Sequence, residues 1–288
     1  MVLFVVHPNS VQRLPFTLTE SSVLAVIPAR FHATRFPGKI LADIAGKPMI
    51  EHVFRRATAA RLVHAVAVAT DDERIASVVR GFGGVAIMTR ADHVSGTDRI
   101  AEVVATQPCR AVVNLQGDEP LVDPDTIDAA IRPLLDDSTV DMSTICRPFN
   151  SLEEFRNPNV VKVITSVRGD ALYFSRAPIP YPRTETLPSA ARAHVGLYVY
   201  RRETLLKLAA LPAAPLEIVE SLEQLRALTH GVRIRVVESA HAVAGVDTPE
   251  DLERVRRAFA RHEANASYGA SAEAPPALSR SGGGPPGL

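Results

Sequence analysis

Val23-Leu24-Ala25-Val26-Ile27 is a continuous apolar run closed by Pro28, the pattern of a strand buried on both faces that gives way to a loop. After Gly46-Lys47-Pro48, Ile50, Val53, Phe54 and Ala57 recur at i, i+3, i+4 and i+7, which predicts an amphipathic helix. Val63 to Thr70 reads as a second strand. The Asp71-Asp72 pair that ends it begins a helix with Ile75, Val78, Val79 and Phe82 inward. The alternation continues with a strand at Val85 to Met88 and a helix at Ser95 to Ala105, whose inner positions are Ile100, Val103 and Val104. A strand at Ala111 to Leu115 and a helix at Pro124 to Leu135 follow. A βαβα rhythm of this kind predicts a mostly parallel sheet covered on both faces.

The second half changes character. Val140 to Cys146, Val160 to Thr165 and Leu197 to Tyr200 read as longer, partly alternating strands, which suit antiparallel additions or a subdomain. A helix at Leu216 to Leu228, a strand at Val232 to Val237 and a helix at Pro249 to Phe259 close the patterned body. No internal repeat is visible. Residues 1–22 read as an N-terminal extension, an upstream translation start or a loosely held arm. Their apolar stretch lacks a basic lead and is cut short at His7-Pro8, so it does not read as a secretory signal. Residues 263–288 are rich in Ala, Ser, Gly and Pro and are expected to be disordered, because they offer little apolar surface to offset ordering entropy. The structured body is therefore expected over 23–262, divided near residue 140.

Composition narrows the classes. With 32 basic and 32 acidic residues in 288, the chain has no basic surplus for a phosphate backbone, which argues against a nucleic-acid partner. No apolar run approaches the roughly 18 residues that a membrane helix needs, so no membrane insertion is expected. Cys109 and Cys146 lack CxxC spacing and read as reduced thiols in a cytosolic protein.

Candidate chemistry clusters where strands end. Arg30, Arg35 and Lys39 follow the first strand within ten residues, with Gly38 allowing close backbone approach. Such a loop suits a polyanion, and composition alone leaves a solvated basic loop equally open. Gln116-Gly117-Asp118-Glu119-Pro120 follows the strand at 111–115. It reads either as a turn or as a divalent-ion carboxylate at a sheet's ligand crevice. Near the last helix, Thr248, Pro249, Glu250 and Asp251 are explained as a cap, whereas Asp247 precedes the cap and is left for a metal opposite Asp118. Ser95, Thr97 and Asp98 read as a helix start, while Gly96 flanked by hydroxyls after Arg90 also suits the edges of a base. Neither GxGxxG after a strand nor a Gly-Lys-Ser/Thr phosphate loop is present. His194, Tyr198 and Tyr200 share one face of a strand.

Seven segments then occur in order: Ile-Pro-Ala-Arg…Thr-Arg-Phe-Pro-Gly-Lys, Thr-Arg-Ala-Asp-His…Ser-Gly-Thr-Asp-Arg, Gln-Gly-Asp-Glu-Pro, Tyr-Phe-Ser-Arg, His-Val-Gly-Leu-Tyr-Val-Tyr-Arg, Pro-Leu-Glu…Glu-Ser-Leu-Glu-Gln-Leu-Arg and Gly-Val-Asp-Thr-Pro-Glu-Asp-Leu. Together they resemble the 3-deoxy-D-manno-octulosonate (Kdo) cytidylyltransferase, or CMP-Kdo synthetase, family over about Val23 to Arg257. The resemblance implies a Rossmann-like α/β fold with a mixed, mostly parallel sheet of the nucleotide-diphospho-sugar transferase type. Helices would cover both faces, and an antiparallel subdomain would serve dimerisation and sugar binding. It implies CTP phosphates on Ala29, Arg30, Thr34, Arg35 and Lys39, the cytidine near Arg90, Ser95, Gly96, Thr97 and Gln116, and Mg²⁺ on Asp118 and Asp247. The sugar acid would meet Arg176, His194, Tyr198, Glu223 and Gln224. Of these, Glu223 and Gln224 read from the pattern alone as a solvated helix face, and Arg176 as a strand-end cation able to pair with a carboxylate.

The implied reaction is attack of the anomeric 2-hydroxyl of Kdo on the α-phosphorus of CTP, for lipopolysaccharide synthesis in the cytoplasm by a homodimer. Arg30, Lys39, Asp118 and Asp247 would be its catalytic residues. Three departures from the family pattern stand out: Ala33, Ile40 and Ala193. Rival readings are a cytidylyltransferase for a related sugar acid such as sialic acid, a metal-dependent glycosyltransferase, and a non-catalytic nucleotide-sugar binding protein. The joint presence of Lys39, Asp118 and Asp247 argues against the last.

Overall fold

The computed structural model describes residues 15–31, 36–239 and 245–271, the stretch 262–271 by backbone alone. Strand β1 (Val23–Ala29) lies in the interior of the sheet, between β6 and β4. Short β2 (Asp43–Ile44) and β3 (Lys47–Pro48) lead into helix α1 (Met49–Ala59), followed by β4 (Ala65–Thr70), α2 (Glu73–Gly81), β5 (Ala86–Met88), α3 (Gly96–Ala105), β6 (Ala111–Asn114) and α4 (Pro124–Asp136). The second half comprises β7 (Met142–Arg147), α5 (Leu152–Arg156), β8 (Lys162–Thr165), β9 (Ala171–Ser175), β10 (Arg192–Arg201), α6 (Arg202–Ala209), α7 (Pro215–Glu220), α8 (Gln224–Thr229), β11 (Ile234–Glu238) and α9 (Pro249–Ser271).

The main sheet runs β11-β7-β10-β6-β1-β4-β5, with β8 and β9 added at the side. β1 pairs in parallel with both β4 and β6, whereas β10 enters antiparallel between β6 and β7. Alternate β1 residues serve opposite faces, as strand geometry demands. Val23, Ala25 and Ile27 join α1, α2 and α4 in one core, while Leu24 and Val26 join α3, α6 and α8 in the other. Pairing with β6 stops at Val26, so Pro28 lies beyond the stretch where that ladder would need its missing N–H.

The departures from expectation are largest in the second half, where β10 starts five residues before the expected Leu197 and α5 has no counterpart in the pattern. The helix anticipated over 216–228 is an elbow of α7 and α8, broken where Ser221 adopts φ 51°, a left-handed conformation. Arg226 grips Glu217 across the break through two bonds of 2.8 and 2.6 Å, a pairing that periodicity cannot encode. Helix α6 was absent from the sequence reading because it follows β10 directly, with Arg201 making no side-chain cap. Finally, α9 continues past Phe259 and the expected boundary at 262 to reach Ser271. Alanines 264, 266 and 270 carry the highest helix propensity there. Residues 1–14 and 272–288 lie outside the described residues.

Candidate active site

Ala29 is buried at the carboxyl end of β1, and Arg30 follows it. Gly38 returns the chain in a left-handed conformation (φ 73°), its N–H donating to the Phe31 carbonyl at 2.9 Å. One turn of 3₁₀ helix then starts at Lys39. Thr34 and Arg35 lie outside the described residues, as does Ala33.

The Lys39 ammonium donates to Asp118 Oδ2 at 2.5 Å, to the Val246 carbonyl at 2.9 Å and to Asp247 Oδ1 at 3.2 Å. Residues separated by more than 200 positions thus meet at one cation. Burial pulls the Lys39 pKa down, but the charges and hydrogen bonds of Asp118 and Asp247 outweigh it and hold the group above the usual lysine value. The Val246 N–H also donates to the Asp118 carbonyl at 2.9 Å, which stitches the two acidic loops together.

Gln116 to Val122 forms successive tight turns, and Arg56 of α1 holds the Pro120 carbonyl at 3.1 Å. The turn reading of this segment is therefore realised, and the turn is what presents the Asp118 carboxylate to Lys39. A Cβ on Gly117 would come within 3.0 Å of Ile40 Cδ1. Ile40, one of the departures from the family pattern, is a core residue packed over that glycine. Ala193, another departure, is fully buried beside Phe149 and Phe155, where a long basic chain has no room; neighbouring Arg192 instead pairs with Glu238 at 2.5 Å.

The oxygens gathered around Lys39 form the donor set a hard divalent ion prefers. Among the described residues no cluster of three or more His, Cys, Asp or Glu side chains could hold a metal. Two carboxylates alone suit Mg²⁺, which keeps several water or substrate oxygens. Glu119, which the pattern does not single out, is buried next to Asp118. Desolvation, then the Asp118 charge, pushes its carboxyl up to about 8, and its Oε2 finds no hydrogen-bond partner among the described residues. The Asp-Glu doublet was its only signal.

Beside this centre, Ser95 caps α3 through a reciprocal pair with Asp98, each bond 3.1 Å. The capping reading holds, and the Ser95 hydroxyl also donates to Glu223 Oε1 at 3.1 Å. A Cβ on Gly96 would stand 3.3 Å from Pro28, so a glycine lets α3 start directly over the end of β1. Thr97 is buried and bonds to Glu223 and Tyr200. Gln116 Nε2 donates to Asn114 Oδ1 at 3.1 Å, and Arg90 is exposed, paired with Asp92.

On the other flank, the Ser221 elbow turns Glu223 and Gln224 inward rather than leaving them on a solvated face. Burial raises the Glu223 pKa against the pull of Thr97 and Ser95. Gln224 is 6% exposed, and its Nε2 has no partner among the described residues. Arg176 does sit just past a strand end, yet its guanidinium is spent on the carbonyls of Glu220 (2.8 Å), Pro158 (3.1 Å) and Ser221 (3.4 Å). It is seen bracing the α7 terminus.

His194, Tyr198 and Tyr200 share a face although the β10–β7 register shifts between Val195 and Tyr198, because two extra residues preserve parity. Their rings follow one another at 5.5 and 6.0 Å, with Phe174 edge-on to His194 at 5.0 Å. Thr144, which no sequence pattern flagged, meets His194 Nε2 at 2.9 Å. Its single hydroxyl proton is met by the Leu197 carbonyl at 2.9 Å, an arrangement in which Nε2–H donates and Nδ1 keeps its lone pair. Although His194 retains some solvent contact, protein surrounds the ring, and desolvation lowers its pKa to about 3.

A consequence can be measured. Folded His194 stays neutral while the unfolded chain takes a proton below about pH 6.5, so this contribution to stability is full above that pH and declines toward pH 3. Wild type is expected to lose about 1–2 kcal/mol more than His194→Gln between pH 7 and pH 4.5, after allowance for partial exposure. Urea midpoints at the two pH values test this; parallel losses in both proteins would refute it.

The cytidylyltransferase family model matches residues 24–234. The chain is 54% identical over 244 residues to the 3-deoxy-manno-octulosonate cytidylyltransferase of Geobacter sulfurreducens, covering 81% of this chain and 98% of that protein. The chain belongs to the 3-deoxy-manno-octulosonate cytidylyltransferase family. The Solibacter usitatus member is also 54% identical, over 82% of this chain and 94% of its own. A solved CMP:2-keto-3-deoxy-manno-octonic acid synthetase complexed with CTP superimposes with a TM-score of 0.81 at 47% identity, covering 84% of this chain and all of that one. The 4-diphosphocytidyl-2C-methyl-D-erythritol synthase of Anaerococcus prevotii, at 9% identity and TM-score 0.57, shares the fold alone. The α/β architecture expected from the βαβα rhythm is thus that of the family.

Proposed function

We propose that the chain transfers CMP from CTP to the anomeric hydroxyl of Kdo, giving CMP-Kdo and pyrophosphate for lipopolysaccharide synthesis. The observation that carries this reading is the Lys39 ammonium clasped between Asp118 and Asp247 at the carboxyl end of the sheet, in a chain 54% identical to named family members. In the reaction a bond forms between the Kdo oxygen and the α-phosphorus, and the α–β phosphoanhydride bond breaks. Lys39 and Arg30 set fixed positive charge against the phosphates, and charge placed in advance costs no reorganisation. Mg²⁺ fits Asp118 and Asp247, where it would neutralise phosphate charge and lower the pKa of the attacking hydroxyl. Arg35 is assigned to the pyrophosphate and Ala29 and Thr34 to the triphosphate. Arg90, Ser95, Gly96, Thr97 and Gln116 are assigned to the cytidine. His194, Tyr198, Glu223 and Gln224 are assigned to the sugar acid. Arg176 is better assigned to holding the elbow that carries Glu223 and Gln224.

The same reading makes the protein a cytoplasmic homodimer. Both cysteines are buried and free, their thiols pushed up to about 11 and about 12 by burial, which suits a reducing compartment. Among the described residues no helix is long and apolar enough to cross a membrane. Among the described residues strand β9 pairs with β8 alone and exposes Leu172, while α7, tied to β9 by Ser175 to Glu220 at 2.6 Å, exposes Ile218 and Val219. These apolar positions support a second copy docking there.

Pyrophosphate release with CTP tests the function directly. Kdo is expected to support turnover and sialic acid to give none; silence with Kdo, or equal rates with both acids, would overturn the reading.

A further inference from the structure

One carboxylate oxygen of Glu102, in the middle of α3, serves two groups of the preceding turn. Glu102 Oε2 accepts the Arg90 backbone N–H at 3.1 Å and also meets Nε2 of His93, whose side chain is only 6% exposed. The His93 carbonyl in turn accepts a 2.5 Å hydrogen bond from Arg30 Nη2. A chain of contacts therefore runs from the α3 carboxylate, through the ring and backbone of His93, to the guanidinium at the end of β1.

Electrostatics gives the chain a purpose. Arg99 is wholly buried, fixed by Asp71 at 3.1 Å and Thr89 at 2.5 Å, and lies close enough to Arg30 for the two cations to repel. Left to itself, Arg30 would swing toward solvent. The His93 carbonyl holds it, and that carbonyl stays in place because Glu102 fixes the turn at both Arg90 and His93. By pattern alone Glu102 is a polar residue on the outer side of α3, so periodicity offers no hint of this role.

We propose that Glu102 is a positioning residue for the nucleotide: acting through His93, it aims Arg30 at the CTP phosphates without touching the ligand. This rests on the CTP-dependent reading above. The test is a double-mutant cycle of Arg30→Ala and Glu102→Ala, read both as kcat/KM for CTP and as CTP affinity by calorimetry, with KM for Kdo followed in parallel.

Glu102→Ala is expected to lower kcat/KM for CTP about 10–100-fold, the scale of a misplaced charged group, with KM for Kdo little changed. In the Arg30→Ala background the same substitution should cost less than about threefold, because coupled residues are not additive. Glu102→Gln keeps an acceptor oxygen and is expected to recover most of the loss; should Glu102→Ala fail to fold, His93→Ala, which removes the ring that Glu102 meets, replaces it in the cycle with the same expected non-additivity. Additive losses, or equal effects on CTP and Kdo, would overturn the proposal. Were pyrophosphate release itself absent in wild type, the proposed function would fail, and the calorimetric cycle would still decide the Arg30–Glu102 coupling.

Discussion

Lys39→Met is expected to lower turnover by about 10²–10³-fold at saturating CTP and Kdo, the scale of losing one fixed electrostatic contact to a transition state. The side chain is 12% exposed, and it is the cation on which Asp118 and Asp247 converge. Methionine matches its length and leaves the two carboxylates facing each other without it, against an incoming triphosphate of the same sign. Effects on folding should be much smaller, about 1 kcal/mol or less, because Asp247 is 65% exposed and water screens its share of the pairing. Pyrophosphate release alongside thermal unfolding separates the two. A variant within about threefold of wild-type turnover would remove Lys39 from the chemistry.

The largest loss of stability is expected at Phe174. Its ring is fully buried among Val163, Leu222 and Leu225, and it meets His194 edge-on at 76°. Phe174→Ala should cost about 3–5 kcal/mol, the range for emptying an aromatic site in a packed core. That is a large part of the 5–15 kcal/mol that typically separates folded from unfolded chains. Phe174→Leu keeps most of the volume and should cost under about 1.5 kcal/mol. Urea denaturation measures both, and a shift below about 1 kcal/mol for the alanine variant would show that the site collapses around the gap. Because His194 leans on this ring, Phe174→Leu also asks whether the wall beside His194 tolerates slack.

Much of the first half was legible because local pattern and tertiary environment agree there. Val23 to Ile27, Ala65 to Ala69 and Ala111 to Leu115 are apolar on both faces, and the sheet covers both. Helices α1, α2 and α3 show their periods because each buries one stripe. The elbow at Ser221 was not legible: a left-handed serine has no pattern, and the Glu217–Arg226 clasp that holds it joins residues on either side of the break. Arg176 was legible as a strand-end cation, while its engagement with three carbonyls depended on where α7 came to rest.

The chemistry divides in the same way. Asp118, Asp247 and Lys39 could be named as candidates from residue type and their place beside strand and helix ends, since those features are local. That both carboxylates come within 3.2 Å of Lys39 was decided only when the carboxyl ends of β1 and β6 and the approach to α9 were brought together. Thr144 and Glu102 carry no local signal and Glu119 only the Asp-Glu doublet, because what sets each apart is a neighbour distant in sequence or a loss of water. The sequence alone determined which groups were available, through periodicity, turn chemistry and charge. The tertiary structure decided which of them touch, because desolvation and pairing depend on what packs across the fold rather than on what adjoins along the chain.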